Sequence, residues 1–471
     1  MAWRLKLKNN RYNVIIVGSG FAGIVSADIL SGHGLSVLLV DENFHSGGQL
    51  LRKISDELGD SKKHRNTYIK RLGNRFLDKL KKNRIEILKR SVVLGIYDKN
   101  EMLIEVDNKK VEKFYYDNLI FATGARERFL PFKGWTLPGV ISTGMSQVLM
   151  KSYGVLPSKR VLVAGSGLFL FSVTYELLKN GAKVISVLES TPFMNKVKLL
   201  PSLIHAPSKA AEGILYMSKI VSSGVSIKYN TRVLEARGSN VLEEVVIAKT
   251  DRNGNIKNGS EKIIKTDSLA IGFGFSPNVE LPSLAGCKLE FNRSLGGWIV
   301  KVDDEMKTSV DGIFSAGEIT GVGGALKSIN EGKIAAFSIL REMQKISEKD
   351  FNKQNGKLLK ERKNNLIFSK YFNTLYGIRA KDLDIISDDT VICRCEDVSM
   401  GEIRSAVKEG FVTPGALKLS VRAGMGNCQG RTCGPLIYDL LDLSSQDHPK
   451  EPFSTRPPVK PVRVKKLVQE R

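Results

Sequence analysis

Residues 12–41 read YNVIIVGSGFAGIVSADILSGHGLSVLLVD, and this stretch decides the fold. The apolar run 14–17 has the composition of a fully buried strand in a parallel sheet. Gly18-Ser19-Gly20-Phe21-Ala22-Gly23 follows at once as a G-x-G-x-x-G turn, and a helical pattern runs on to Leu30. A second apolar run, 35–40, ends on Asp41. Each part has a physical task. Gly18 permits the tight turn, Gly20 lets the backbone approach a pyrophosphate, and Gly23 lets the helix pack close on the strand. The helix N-terminus supplies amide donors and a positive dipole end to the phosphates. Asp41, 18 residues beyond Gly23, is placed to accept hydrogen bonds from a ribose hydroxyl. Strand, turn, helix, strand and acid in this order predict a Rossmann-like α/β unit that holds a dinucleotide.

Further along, Gly47, Gly48 and Gln49 continue that crevice past the second strand, since two glycines let backbone run close under a ligand. Residues 66–82 place Tyr68, Leu72, Phe76, Leu77 and Leu80 on one helical face. A buried strand at 119–121 ends in Ala122-Thr123-Gly124-Ala125, where Thr123 and Gly124 let a cofactor lie against the backbone. The irregular stretch 131–139, PFKGWTLPG, predicts the crossing into a second domain. There the theme repeats: a strand at 160–164, a turn built on Gly165 and Gly167, and a strand at 184–188 ending on Glu189. Leu170 stands where the third glycine belongs and should push the helix off the strand. Glu189 would accept a ribose hydroxyl and repel a 2′-phosphate. Two readings of this half follow: a working NADH site, or a fossil that at most holds an adenine nucleotide without turning it over. The damaged motif favours the second. Residues 243–265 read as hairpins around Asn253-Gly254, and the apolar run 269–275 is expected to return the chain to the first domain. TSVDGIFSAGE, 308–318, is a buried strand ending in Gly317 and Glu318. Glu318 is placed to bond a polyol, and the helix expected at 325–342 turns its N-terminus toward a flavin pyrimidine oxygen.

The chain has 471 residues, 42% hydrophobic and 26% charged, enough for two or three domains with their own cores. Its start, MAWRLKLKNNRYN, contains no apolar leader core, and no apolar stretch reaches membrane-spanning length, so a cytoplasmic location is expected. The formal net charge is +23, with 14 basic against 5 acidic side chains in 51–92 and six against one in 456–471. No DNA- or RNA-binding motif accompanies it, so the expectation is a solvated basic surface and no nucleic-acid partner. Of five cysteines, Cys393, Cys395, Cys428 and Cys433 fall within 41 residues, which in this setting points to a metal or cluster site rather than disulfides. Cys287 reads as a small buried hydrophobe. Ser399 with Glu402 forms a capping box, and Thr413-Pro414 suits an N-cap with proline in the first turn, so two short helices should bring the cysteine pairs together. Glycines around Cys428 and Cys433 leave amides free to bond sulfur. Spacing alone also admits a structural zinc site held by the four thiolates.

The expected domains are 11–130 with 270–345, 131–269, a partly helical connector 346–387, a cysteine domain 388–440 and a basic, proline-containing tail 441–471, of which 446–471 is expected to be mobile unless a partner orders it.

GSGFAG with Asp41, GGQ at 47–49, ATG at 122–124 and TSVDGIFSAGE resemble the two-dinucleotide-domain flavoprotein reductases. That resemblance implies FAD in the first domain, its ADP part on the first motif and its ribityl chain on Glu318, where Asp is common. The C-x-C-x32-C-x4-C segment resembles the bacterioferritin-associated-ferredoxin type of [2Fe–2S] domain. The whole order, with GWTLPGV, GSGLFL, GFGFSPN, GEITGVGG and RAGMGNCQGRTC, is similar to the FAD-containing α or A subunits of dye-linked proline and hydroxyproline dehydrogenases, opine oxidases and hydrogen cyanide synthase, akin to sarcosine oxidase α. The resemblance covers about 12–437. It implies one component of a hetero-oligomer that oxidises a CH–NH bond of a small amino or imino acid. A second flavoprotein subunit of amino-acid-oxidase fold would hold the substrate, and relatives also allow FMN at the interface between subunits. No acid–base catalyst emerges, because the five histidines form no constellation. Two alternatives stand beside this reading: a self-sufficient NADH-dependent reductase, and a non-catalytic four-cysteine metal-binding module on a flavin scaffold. No Cys-x-x-Cys pair lies near either nucleotide motif, which speaks against a disulfide reductase.

Overall fold

The computed structural model describes residues 10–52, 68–82, 85–97, 100–444 and 452–467. The reading of the first nine residues as leader-free, and the first two residues of the helix expected at 66–82, fall outside them. The first sheet runs Glu86–Leu88, Val37–Val40, Arg11–Val17, Lys110–Phe121, all parallel, with Ile313–Ser315 added in parallel beyond. Lys110–Phe121 serves two layers. Its end, Leu119 to Phe121, is apolar throughout and fully buried between neighbours. Its beginning alternates in burial and pairs antiparallel with Glu101–Val106, which pairs with Val92–Tyr97. Helices Phe21–Gly32 and Ala325–Glu342 pack side by side on one face of the sheet, and the antiparallel strands cover the other. Ser26 Oγ donates to Gly332 O at 2.8 Å across the helix pair.

The second domain repeats this plan. Ser226–Tyr229, Lys183–Glu189, Arg160–Gly165, Ser268–Gly272 and Val140–Ser142 form a parallel sheet, with Thr231–Arg237, Glu244–Lys249 and Lys262–Lys265 as its antiparallel partner layer. Here the expected boundary at 269/270 needs correction. Ser268–Gly272 is a central strand of the second sheet, buried throughout because parallel neighbours flank it on both edges. The return comes later, where Phe275–Pro277 pairs antiparallel with the outgoing strand Ala125–Glu127.

The connector is also more ordered than expected. Ser347 caps a 29-residue helix, Glu348–Tyr376, and Ala380–Asp384 follows. At 1.5 Å per residue the long helix reaches about 44 Å. Its start packs on Ala325–Glu342 and its end on the second domain. The cysteine domain is a small hairpin, Val391–Cys393 with Val398–Ser399, and three helices, Met400–Lys408, Pro414–Val421 and Gly434–Ser444. It docks beside the domain crossing through the buried Arg128–Asp439 pair and a Trp135 Nε1 bond to Val391 O at 2.7 Å.

The tail expected to be mobile is ordered over 452–467, and its partner is its own chain. Phe453 is buried beside Gly424, Gly430, Gly434 and Tyr438, and Val459 N donates to Leu94 O at 2.9 Å. No helix among the described residues is long and apolar enough to cross a membrane.

Candidate functional site

The first crevice is assembled by close backbone approach. A side chain at Gly18 would run into the carbonyl of Ala122, and one at Gly23 into the carbonyl of Gly18, so turn, strand end and helix meet with no room for a Cβ. Gly20 is different. Nothing lies within 4 Å of the place a Cβ would take, and Gly20 is the N-cap of Phe21–Gly32. The helix amides therefore open on free space of the kind a pyrophosphate needs. A Cβ at Gly48 would lie 3.0 Å from Gly20 Cα, and Gly47 N donates to Ser19 O at 2.7 Å, so the 47–49 loop roofs the turn. Gln49 points outward and accepts from Arg52 Nε at 2.8 Å.

Asp41 stands at the crevice, 8% exposed. Its Oδ2 accepts from Ser19 N at 2.7 Å and Ser19 Oγ at 2.6 Å; its Oδ1 accepts from Asn43 N and Nδ2, both at 2.8 Å. A ribose hydroxyl would exchange with one of these donors. Thr123 is locked to Asn278 in both directions, Oγ1 donating to Asn278 O at 2.9 Å and Asn278 Nδ2 returning to Thr123 O at 2.8 Å. Gly124 beside it has open space around its Cβ position.

At the opposite wall, Glu318 accepts from Gly323 N at 3.0 Å and Gly324 N at 2.6 Å, bracing the glycine loop that starts Ala325–Glu342. Beneath Gly317 lies a group that motif reading does not reveal. Lys327 and Glu331 are fully buried, an i, i+4 pair at 2.8 Å. Lys327 Nζ also donates to Gly317 O at 2.8 Å and to Thr320 Oγ1 at 2.7 Å, while Glu331 accepts from Gly317 N and from Arg362 Nε, both at 2.9 Å. Burial works to raise the Glu331 carboxyl, but the two cations prevail and hold it below the usual range. The available signal is a charged i, i+4 pair in an otherwise small and apolar helix start, GGALKSINEG.

In the second domain the corresponding residues are closed in. Gly165 packs on the Gly272 carbonyl, and Leu170, 1% exposed, joins the domain core. Glu189 is 1% exposed and accepts from Gly167 N at 3.0 Å, Thr191 N at 3.0 Å and Thr191 Oγ1 at 2.9 Å. Burial pushes its carboxyl up to about 7.

The four cysteines come together in two thiol pairs, Cys393 with Cys433 and Cys395 with Cys428, each pair within hydrogen-bond reach. Amides of Gly424, Glu396 and Cys395 point at Cys393, and those of Thr432 and Gly430 at Cys428. The bond from Cys433 and these amides bring the Cys393 thiol down to about 5, although burial opposes it. A Cβ on Gly426 would collide with Cys395, so the distal loop closes directly on the proximal one. Among the described residues, no three His, Cys, Asp or Glu groups surround one ion position. Two separate thiol pairs suit a two-iron cluster better than a single tetrahedral zinc. The capping box at Ser399 and Glu402 and the Thr413 cap are both formed.

A chain of ion pairs joins the two sites. Arg126, two residues beyond Gly124, pairs with Glu280, and Glu280 faces Arg431 Nε at 3.9 Å inside the Cys428–Cys433 loop. Glu280 is deeply buried, which opposes ionisation, yet Arg126 and Arg431 hold its carboxyl below the ordinary value.

Residues 12–336 match the pyridine nucleotide-disulphide oxidoreductase family, and residues 391–442 match the BFD-like [2Fe-2S] binding domain. The chain is similar to the A subunit of opine oxidase from Rhizobium meliloti, 29% identical over 471 residues, covering 97% of this chain and 87% of that protein. It is 30% identical over 455 residues to hydrogen cyanide synthase subunit HcnB of Pseudomonas aeruginosa, covering 95% and 96%. The crystal structure of L-proline dehydrogenase from P. horikoshii superposes with a TM-score of 0.70 at 21% identity, over 98% of this chain and 80% of that one, which shows a shared fold.

Proposed function

The chain belongs to the pyridine nucleotide-disulphide oxidoreductase family and carries a BFD-like [2Fe-2S] binding domain, and we infer its function from these two domains. It is an FAD-dependent oxidoreductase of the group whose relatives act on CH–NH donors. We place FAD in the first crevice, on Gly18, Gly20, Gly23, Asp41, Gly47, Gly48, Thr123, Gly124, Gly317 and Glu318; Gln49, which points outward to Arg52, lies outside this set. We place the cluster on Cys393, Cys395, Cys428 and Cys433. When bound, a flavin accepts two electrons together and a [2Fe–2S] centre passes them singly. The residues of this chain set the positions. The amides at the start of Phe21–Gly32 hold phosphate, the Lys327–Glu331 pair fixes the Gly317–Thr320 loop, and the glycine-rich cysteine loop donates amides to sulfur.

The observation that carries the reading is the Arg126–Glu280–Arg431 relay. It ties the strand leaving the Gly124 end of the flavin crevice to the loop between Cys428 and Cys433. The two redox sites are thereby built as one unit. The opine oxidase and hydrogen cyanide synthase relatives are themselves called subunits, which supports a hetero-oligomer here. We assign the donor to a small amino or imino acid of the proline, hydroxyproline, sarcosine or opine type. A second flavoprotein subunit of amino-acid-oxidase fold would hold it, with FMN at the interface.

The test is dye reduction by this chain co-purified with its partner, offered proline, hydroxyproline, sarcosine and opines in turn. Reduction by one of them is expected. Reduction by NADH and by no amino acid would overturn the reading.

A further inference from the structure

Gly20 and Gly167 hold the same place in the two dinucleotide motifs, and their surroundings differ. Gly20 opens on empty space, whereas a Cβ at Gly167 would lie 3.2 Å from the Phe372 ring and 3.8 Å from Tyr376 Cβ. The hydroxyl of Ser166, inside the turn, donates to Tyr376 O at 2.7 Å, and Asn195 Nδ2 donates to Leu375 O at 2.6 Å. Phe368, Phe372 and Tyr376 recur every fourth residue on the long helix and stack, with ring centroids 6.1 and 4.8 Å apart. They seat against Leu168, Leu199, Leu203 and Ala206 of the second domain. Among the described residues the buried Tyr376 hydroxyl has no hydrogen-bond partner, and it feels the charge of Glu189.

We propose that the second dinucleotide crevice is filled by the chain's own helix Glu348–Tyr376, with Phe372 over the glycine a pyrophosphate would approach and Tyr376 beside the carboxylate a ribose would bond. While the helix is docked, this domain takes neither NADH nor a free adenine nucleotide. Three features fit together. Phe372 covers Gly167, where the matching Gly20 is open. Glu189 is more deeply buried than Asp41 at the open crevice, 1% against 8% exposed. The third-glycine position tolerates Leu170 because no phosphate needs the helix close. All three belong to the second domain, so the proposal does not depend on which donor feeds the flavin.

The test uses the full chain with FAD bound, so that the first crevice is filled. Titration with a fluorescent ADP analogue and with NADH should give no saturable binding below about 1 mM for the natural sequence. The Phe372→Ala/Tyr376→Ala variant should gain at least about tenfold in affinity for the ADP analogue. FAD content and melting temperature report whether that variant is folded. Should it fail to fold, hydrogen exchange of residues 165–170 in the natural chain decides the matter: unchanged with added NADH supports a plugged site. Micromolar binding by the natural chain, protection of 165–170 by NADH, or a folded double variant with no gain would each overturn the proposal.

Discussion

At Glu189 a carboxylate that the sequence places beside a ribose is sealed behind Gly167 and Thr191. Its folded carboxyl keeps a proton up to about pH 7, against an ordinary value of 4.5. Across that window the folded chain binds more protons than the unfolded one, so stability falls as pH rises. The loss amounts to about 3 kcal/mol from end to end. Glu189→Gln should flatten the curve, a difference that denaturant midpoints at pH 5, 6, 7 and 8 would reveal. Parallel curves for the two proteins would contradict the burial argument. Lys327 is held differently, by a partner of opposite charge. Removing one member of a buried pair costs about 3 kcal/mol or more, so Lys327→Met should lower stability by that order and weaken FAD retention, measured by denaturant midpoint and by FAD released on gel filtration. Unchanged retention would mean the ammonium does not fix the Gly317–Thr320 loop. These residues also mark where sequence stops informing. The close packing of Gly18 and Gly23 and the approach of the four cysteines are legible because they follow from local backbone and spacing. Glu189 is legible as an acid at a strand end, but not as a plugged one, since that depends on a helix far along the chain.

Among the elements, the long helix and the tail are the least legible. Glu348–Tyr376 is rich in charge, and its buried positions are sparse because it touches different neighbours along its length. The stripe 351, 355, 358 and 368, 372, 376 is thinned by the polar Asn355 and Ser369, so its apolar signal is weak. The strand Ser268–Gly272 reads as buried, yet burial does not say in which of two similar sheets a strand sits. The tail carries no periodic pattern, but Phe453 fills a pocket bounded by glycines and Tyr438, and Arg431 Nη2 donates to Val459 O at 2.7 Å. Phe453→Ala should cost the cysteine domain about 3 kcal/mol. The readout is faster loss of iron to a chelator in the variant. An unchanged rate would show that the tail lies over the domain without supporting it.

For the whole molecule, two matching dinucleotide domains are put to different uses. The first keeps an open glycine and open helix amides, while the second presents its turn to the chain's own aromatic ladder. The cysteine domain sits at the crossing between them, tied to the first crevice through Arg126, Glu280 and Arg431. Glu280→Gln keeps the shape of that tie and removes its charge. Cluster and flavin should remain bound, while electron passage from one to the other, followed by rapid mixing, should slow by about tenfold. An unchanged rate would leave the relay structural only. Flavin and a two-iron cluster are expected together on this one chain. The test is to measure FAD, iron, zinc and acid-labile sulfide on the purified chain and record its low-temperature EPR spectrum after reduction with dithionite. One FAD, two irons, two sulfides and the signal of a reduced [2Fe–2S] centre are expected. One zinc per chain, no sulfide and no signal would contradict the claim.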